Sequence, residues 1–412
     1  MRSILKQKLL WIAAFGYFVD LYDLVLYGTV RVESLKSLGY QGNDLFSVGA
    51  TLLNIQMAGM LCGGLFFGVM GDRKGRKEAL FGSIFLYSFA TFFNAYIHDF
   101  TGYATLRFLA GFGLAGELGA AITLVSEALP QETRGLGSAF VASIGFLGAA
   151  SSSFISQALT WQNAYRLGGA LGFILLFARM SVQESPLFLS RRKEKEPVMW
   201  GSLSMVFNSS KRLKLMGLAF LAGVPIWYVA GILSYFAPEF SRALGVQGEV
   251  TAGTTIMMGY LGAILGDIAC GVLSQKLKSR KKAVLIFILM GGSIALFHPL
   301  FSVGTSAMGF YGVRFLIGFG NGYFATLIAW IAETFGTNLR VTLTSTLTNL
   351  IRASVIPLSI SFQYLSKSHG ILPSSALLGA TSFSLGLFAI SKLPDTFGRN
   401  LDFLEENPGQ VR

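Results

Sequence analysis

Along this 412-residue chain, apolar runs of about twenty residues alternate with short stretches rich in charge and turn residues. Such runs read as membrane-spanning helices, because a helix of that length crosses the hydrocarbon layer. They predict spans near 9–31, 46–70, 78–97, 101–126, 135–158 and 164–182. After a polar segment they resume near 213–237, 251–274, 283–303, 308–332, 342–365 and 374–393. The prediction is an all-α membrane protein with twelve transmembrane helices. The start has a basic and then an apolar stretch, as a signal peptide does. Its apolar run continues past Asp20 and Asp23 to Val30 without a cleavage pattern, and so reads as span 1.

Composition agrees with this pattern. Hydrophobic residues make up 52% and charged residues 13%, with a mean hydropathy of +0.57, too little charge to wet the surface of a soluble protein of this length. The net charge of +12 raises the question of nucleic acid, but the basic residues sit in short clusters between apolar runs. Arg73, Lys74, Arg76 and Lys77 follow span 2; Arg191, Arg192, Lys193 and Lys195 follow span 6; Lys276, Lys278, Arg280, Lys281 and Lys282 follow span 8. Arg134 and Arg340 follow spans 4 and 10. All fall on one side, which puts both termini in the cytoplasm by the positive-inside rule. The basic stretch from Arg191 to Lys214 reads as a solvated topogenic linker rather than an anionic-lipid site. Cys62 and Cys270 each lie inside an apolar run and read as buried small hydrophobes, with no disulfide framework.

An internal repeat has a period of about 207 residues. Arg107-Phe108-Leu109-Ala110-Gly111-Phe112-Gly113 returns as Arg314-Phe315-Leu316-Ile317-Gly318-Phe319-Gly320, and Glu127 with Arg134 returns as Glu333 with Arg340. A duplication of six spans preserves orientation, so the halves are parallel repeats with a substrate site between them near the midplane. The predicted organisation is an N-terminal half over 1–190, a cytoplasmic linker over 191–212, a C-terminal half over 213–394 and a tail over 395–412. Gly111 to Gly116 matches G-x-G-x-x-G, but it lies inside a long apolar helix with no preceding strand, so close helix packing explains it. His98, His298 and His369 are far apart, with no metal spacing, and nothing resembles a nucleophile and its base. No enzyme and no cofactor are expected.

The turn Gly68-Val69-Met70-Gly71-Asp72-Arg73-Lys74-Gly75-Arg76-Lys77 closely resembles the signature loop of the major facilitator superfamily, and the two-half repeat matches that architecture. Its counterpart at Gly271 to Lys282 has Gln275 in place of the acid, with one residue inserted, so the resemblance implies a stronger latch in the N-terminal half. Ser126-Glu127-Ala128-Leu129-Pro130 through Arg134-Gly135 looks like the end of span 4 in sugar porters and metabolite:proton symporters. Gln183-Glu184-Ser185-Pro186-Leu187-Phe188 and Pro394-Asp395-Thr396-Phe397-Gly398-Arg399-Asn400-Leu401 resemble their motifs after spans 6 and 12. Gly16 through Gly28 in span 1 looks most like the metabolite:proton symporter branch, with Asp20 where that branch usually has Glu. The resemblance implies a cytoplasmic gate of charges, drawn from Asp72, Arg73, Arg76, Glu127, Arg134, Glu184, Glu333 and Arg340.

Ionisable groups at membrane depth are functional candidates by default. At ~1.5 Å rise per residue, Asp23 lies roughly 20 Å from the cytoplasmic end of span 1, about 10 Å below the outer surface, and Arg107 lies roughly 9 Å into span 4 from that surface. The two can pair, as matching residues do in proton-coupled sugar porters. A carboxylate that leaves a guanidinium for an apolar surrounding takes up a proton, so proton binding tracks conformation. Asp20, one turn away, is a second acid, and Glu117 on span 4 relays a proton or braces packing. Arg352 sits at the midplane of span 11 with no acid in that span. It is read as a free cation facing the cavity, suited to an anionic substrate, with Asp267 as the alternative partner. Gln56, Trp227, Tyr228, Asn321, Tyr323 and Asn349 are candidate cavity residues. Pro225 and Pro357 are candidate helix breaks.

These features predict a proton-coupled importer of a small polar solute by alternating access. An organic anion leads: a carboxylate, a hydroxy-acid or a polycarboxylate siderophore. Sugar or polyol carriage and metabolite export on the same fold are the alternatives. A transporter-like receptor would need a cytoplasmic signalling domain, which the sequence lacks. The expected partners are the solute, protons and the bilayer of a bacterial inner membrane, with the protein a monomer.

Overall fold

The computed structural model describes residues 8–42, 44–117, 121, 125, 134–180, 201–399 and 403–405. Across the described residues the predicted spans are present as helices; most of span 4 after Glu117 lies outside them. The first half holds α1 (Lys8–Ser37), α2 (Asp44–Arg73), α3 (Arg76–Asn94), α4 (Phe100–Leu114), α5 (Arg134–Ala158) and α6 (Trp161–Arg179). The second holds α7 (Ser210–Tyr228, continuing as a π-helical segment, Val229–Ser234), α8 (Ala252–Leu277) and α9 (Arg280–Ser302). It is completed by α10 (Ala307–Gly320, resuming at Phe324–Thr334), α11 (Arg340–Ala353, resuming at Val355–His369) and α12 (Ile371–Lys392). Short helices at Leu203–Phe207 and Ala237–Ala243 lie between them.

Polar residues at the ends of the apolar runs fix where the helices begin. Side-chain oxygens of Asp99, Thr160, Ser209, Thr251, Ser279 and Ser306 each accept from the backbone amide three residues on, satisfying a donor that the first helical turn leaves free. Large apolar side chains on the perimeter, among them Phe154, Ile174, Phe177, Leu300, Val303 and Met308, are each more than 60% exposed. Exposed apolar surface of that extent is what a lipid-facing wall requires. Cys62 belongs to this exposed surface, not to the interior; Cys270 is buried, and both are free thiols.

The two halves pack alike. α1 lies on α5 as α7 lies on α11, α2 on α4 as α8 on α10, and α3 on α6 as α9 on α12. Across the seam, α2 meets α11 and α5 meets α8. Glycines set the closest crossings. A Cβ on Gly63 would stand 2.0 Å from the carbonyl oxygen of Phe112, and one on Gly266 would stand 2.2 Å from that of Phe319. Gly111 faces the Gln56 carbonyl in the same way, so the G-x-G-x-x-G stretch is a packing surface.

Eight helices among the described residues are long and apolar enough to cross a membrane on those grounds alone. α11 is not among them, because its first piece carries Thr342, Thr344, Ser345, Thr346, Thr348 and Asn349. Those residues are buried against α2 and α7, so polarity here marks the seam between halves and not a loop. Pro225 does not end α7, which changes to π-helix four residues later. In α11 the helix is interrupted at Ser354, ahead of Pro357, which has no amide proton to donate back across the break.

Candidate functional site

A cavity lies between the halves. Tyr17 and Leu21 of α1, Met57 of α2 and Phe146 of α5 line one wall. The π-helical part of α7, Tyr260 of α8, Asn321 and Phe324 of α10 and Arg352 of α11 line the other. A π-helical turn widens the helix and reorients its side chains, and here Val229, Ala230, Gly231 and Ser234 from that turn border the cavity. The break in α10 at Asn321–Tyr323 does the same for Asn321. Asp267 stabilises that break by accepting from the amide of Ala325, 3.0 Å away, in the first turn of the resumed helix.

Most of the lining is apolar or aromatic. Among its buried polar groups, the Ser234 hydroxyl donates to the Val229 carbonyl (3.1 Å), whereas the Arg352 guanidinium, the Asn321 amide, Trp227 Nε1 and the Tyr235 hydroxyl make no hydrogen bond among the described residues. Buried polar atoms almost always find partners in folded proteins, so these groups have hydrogen-bonding capacity left over at the cavity wall.

Arg352 is not free of counter-charge. Its Nη2 stands 3.7 Å from Oδ2 of Asp20, and both residues are buried. The free cation expected from the sequence is therefore corrected, and the alternative partner, Asp267, belongs to the α10 break instead. Asp20 comes from the other half, so this ion pair crosses the seam at the cavity. Asp23 and Arg107 also stand 3.7 Å apart, both buried, inside the first half. Thr91 of α3 donates to Asp23 at 2.5 Å, and the Arg107 guanidinium lies 4.9 Å from the ring centre of Tyr165. Glu117 pairs with Arg179 of α6, an arginine that sequence reasoning overlooked.

Four expected cavity residues point elsewhere. Tyr228 donates to the Ser375 carbonyl (2.8 Å) and Tyr323 to the Ala222 carbonyl (3.2 Å). Asn349 donates to the carbonyls of Ala115 and Ser345 (2.9 and 2.8 Å) and so ties α11 to the first half. Gln56 is buried beside Gly111 and does not line the cavity. Sequence position alone did not give the direction they face. Trp227, Asn321 and Arg352 do line it.

At the end that carries the basic connections, Asp72 reaches across the seam. Its Oδ2 accepts from both the amide and the hydroxyl of Thr342, each at 2.7 Å, at the first turn of α11. Gly201 donates to the Asn338 carbonyl nearby (3.0 Å). The matching corner of the second half is built differently. Glu333 pairs with Arg280 at 2.9 Å and accepts from Thr396 at 2.8 Å, while Asp395 accepts from Ser279 and from the Arg280 amide. The tail motif thus supplies the acid that Gln275 does not, and Glu333 acts within its own half rather than across the seam. Arg340 is buried and donates to the Ala332 carbonyl (3.1 Å), and Arg73 is exposed. Glu127, Glu184 and the side chains of Arg76 and Arg134 lie outside the described residues. At the opposite end, Arg31 stands 3.7 Å from Glu239, the rings of Phe46 and Phe236 are 4.9 Å apart, and Ser359 donates to Asn54 at 2.9 Å, so contacts bridge the halves there too.

The chain is similar to known transporters. It is 30% identical to a putative niacin/nicotinamide transporter of Bacillus subtilis over 210 residues, spanning 50% of this chain and 51% of that protein, about half its length. It is 24% identical to a probable 4-methylmuconolactone transporter of Cupriavidus pinatubonensis, covering 97% of this chain and 93% of that one. In three dimensions it is similar to the xylose transporter XylE of E. coli in a partially occluded inward-open form. The TM-score is 0.71 at 16% identity, over 95% of this chain and 99% of that one, a likeness of fold. The family model described as Major Facilitator Superfamily matches residues 13–360. The chain therefore belongs to the major facilitator superfamily and is a multi-pass membrane transporter of small molecules.

Proposed function

We propose that this protein imports small monocarboxylates with an aromatic or otherwise apolar body, together with protons, across a bacterial inner membrane, with both termini cytoplasmic. The observation that carries the reading is a largely apolar and aromatic cavity between the halves with Arg352 as its cation. A carboxylate is received by a guanidinium through two charge-assisted hydrogen bonds. The ring of the same substrate packs on Tyr17, Phe146, Trp227 and Tyr260. A sugar would strand several hydroxyls on that wall, and a second carboxylate would lack a counter-charge, each costing more than one contact returns. This narrows the anion class expected from the sequence and disfavours polycarboxylate siderophores. The names of the relatives support it: niacin is an aromatic monocarboxylate and 4-methylmuconolactone a small cyclic one.

Proton coupling is read from the buried Asp23–Arg107 pair, an acid whose charged form depends on a guanidinium that helix motion can withdraw. The test is uptake of nicotinate, benzoate, glucose and citrate into proteoliposomes, with and without an inward proton gradient. Gradient-stimulated uptake of the two monocarboxylates alone is expected. Uptake of glucose or citrate in preference to both overturns the reading.

A further inference from the structure

We infer that the bound carboxylate takes Arg352 away from Asp20, and that Asp20 receives a proton in the same event, so that anion and proton enter the cavity together. This rests on the proposed reading of Arg352 as the carboxylate anchor.

Three observations carry it. The Asp20–Arg352 pair is loose: at 3.7 Å it is beyond hydrogen-bonding distance, and neither Asp20 oxygen and none of the three guanidinium nitrogens has a hydrogen-bond partner among the described residues. It is also buried, so neither charge can be left alone, because an uncompensated buried charge is strongly unfavourable. Finally, Arg352 lines the cavity while Asp20 does not, so an anion arriving in the cavity meets the guanidinium and competes with the carboxylate behind it.

The balance is simple. Before binding, the site holds Arg352 as a cation and Asp20 as an anion. The incoming carboxylate forms the new ion pair with Arg352 and the Asp20 pair breaks. A proton then bonds to an Asp20 oxygen, and the net charge of the buried site stays at zero. The other charged groups around Asp20 do not take its place as counter-ion. Asp23 and Glu117 are acids, and Arg179 is already engaged by Glu117. The phenols of Tyr17 on α1, Tyr87 on α3 and Tyr260 on α8 are neutral neighbours. Asp23 is less suited to the exchange, because Thr91 and Arg107 hold it inside its own half. Since Asp20 and Arg352 sit on opposite halves, the exchange also removes a tie across the seam when both cargoes are aboard.

Binding that takes up a proton weakens as pH rises, by up to ~10-fold per pH unit above the titration of Asp20 in the loaded site. Removing the competing carboxylate strengthens anion binding.

The experiment is calorimetric titration of the full-length protein with nicotinate between about pH 6 and 8.5, where the probe's carboxylate is fully ionised. It is run in two buffers of different ionisation enthalpy to count protons, on wild type and on Asp20→Asn. Wild type should take up close to one proton per anion. Asp20→Asn should bind nicotinate about tenfold more tightly at the upper pH, with the pH dependence lost. If wild type binds nicotinate without proton uptake, the inference is overturned while the carboxylate reading stands, and this arm needs no variant to fold. Weaker binding by Asp20→Asn, or proton uptake that survives in it and vanishes in Asp23→Asn, overturns it equally. If nicotinate does not bind at all, the carboxylate reading itself fails and the inference falls with it.

Discussion

Replacing Asp72 with alanine removes two hydrogen bonds that exist only while the halves meet at the basic end. Both donors, the amide and hydroxyl of Thr342, lie 2.7 Å from one carboxylate oxygen and belong to the other half. A hydrogen bond to a charged group contributes ~1.5–3 kcal/mol net of the water it replaces. Taking the lower figure for each gives about 3 kcal/mol favouring closure of this end, or roughly a hundredfold in the closed-to-open ratio. Thr342→Val removes only the hydroxyl donor and should shift the ratio by roughly tenfold. The assay is a spin-label distance between Lys74→Cys at the end of α2 and Lys276→Cys at the end of α8, both exposed and on opposite halves. Cys62, which is exposed, is first changed to serine; Cys270 is buried. The distance distribution should gain a longer component in Asp72→Ala, with Thr342→Val intermediate. An unchanged distribution in Asp72→Ala would refute the latch.

Other expectations follow from the same geometry. Asp20→Asn and Asp23→Asn together should abolish gradient-driven uptake while anion exchange across the membrane continues, measured as counterflow in proteoliposomes; gradient-driven accumulation that survives in the double variant would count against both acids. Gly63→Ala places a Cβ against the Phe112 carbonyl and should lower the melting temperature markedly, whereas Gly271→Ala meets nothing within 4 Å and should leave it unchanged. Glu333→Gln weakens the corner made with Arg280 and Thr396 and should cost ~1–3 kcal/mol of stability, seen as a lower melting temperature, without lengthening the Lys74–Lys276 distance.

Much of this was legible in the chain. Apolar runs located the helices, the repeated Arg-Phe-Leu stretch located the twofold, and helical rise put Asp23 and Arg107 at one depth, where they stand 3.7 Å apart. The same arithmetic holds for the pair that was missed. Asp20 follows Lys8, and Arg352 follows Arg340, by a rise of ~18 Å from the same end of their helices. The level was available, but the contact depends on how α1 and α11 dock across the seam, and no local pattern encodes that. Azimuth was the other missing quantity. Tyr228, Tyr323 and Asn349 turn toward backbone carbonyls of neighbouring helices. The apolar character of the cavity was hidden for a related reason: Tyr17, Phe146 and Tyr260 look like any lipid-facing aromatics until the halves close over them.

Whether Arg352 receives a carboxylate in an otherwise apolar chamber is decided by an isosteric pair of ligands. Binding of nicotinate and of nicotinamide, measured by calorimetry on the same wild-type preparation, isolates the charge while holding the ring constant. Nicotinate should bind at least ~10-fold more tightly, from a charge-assisted contact of ~1.5–3 kcal/mol, and the difference should vanish in Arg352→Ala. Equal binding of the two by the wild-type protein would contradict it.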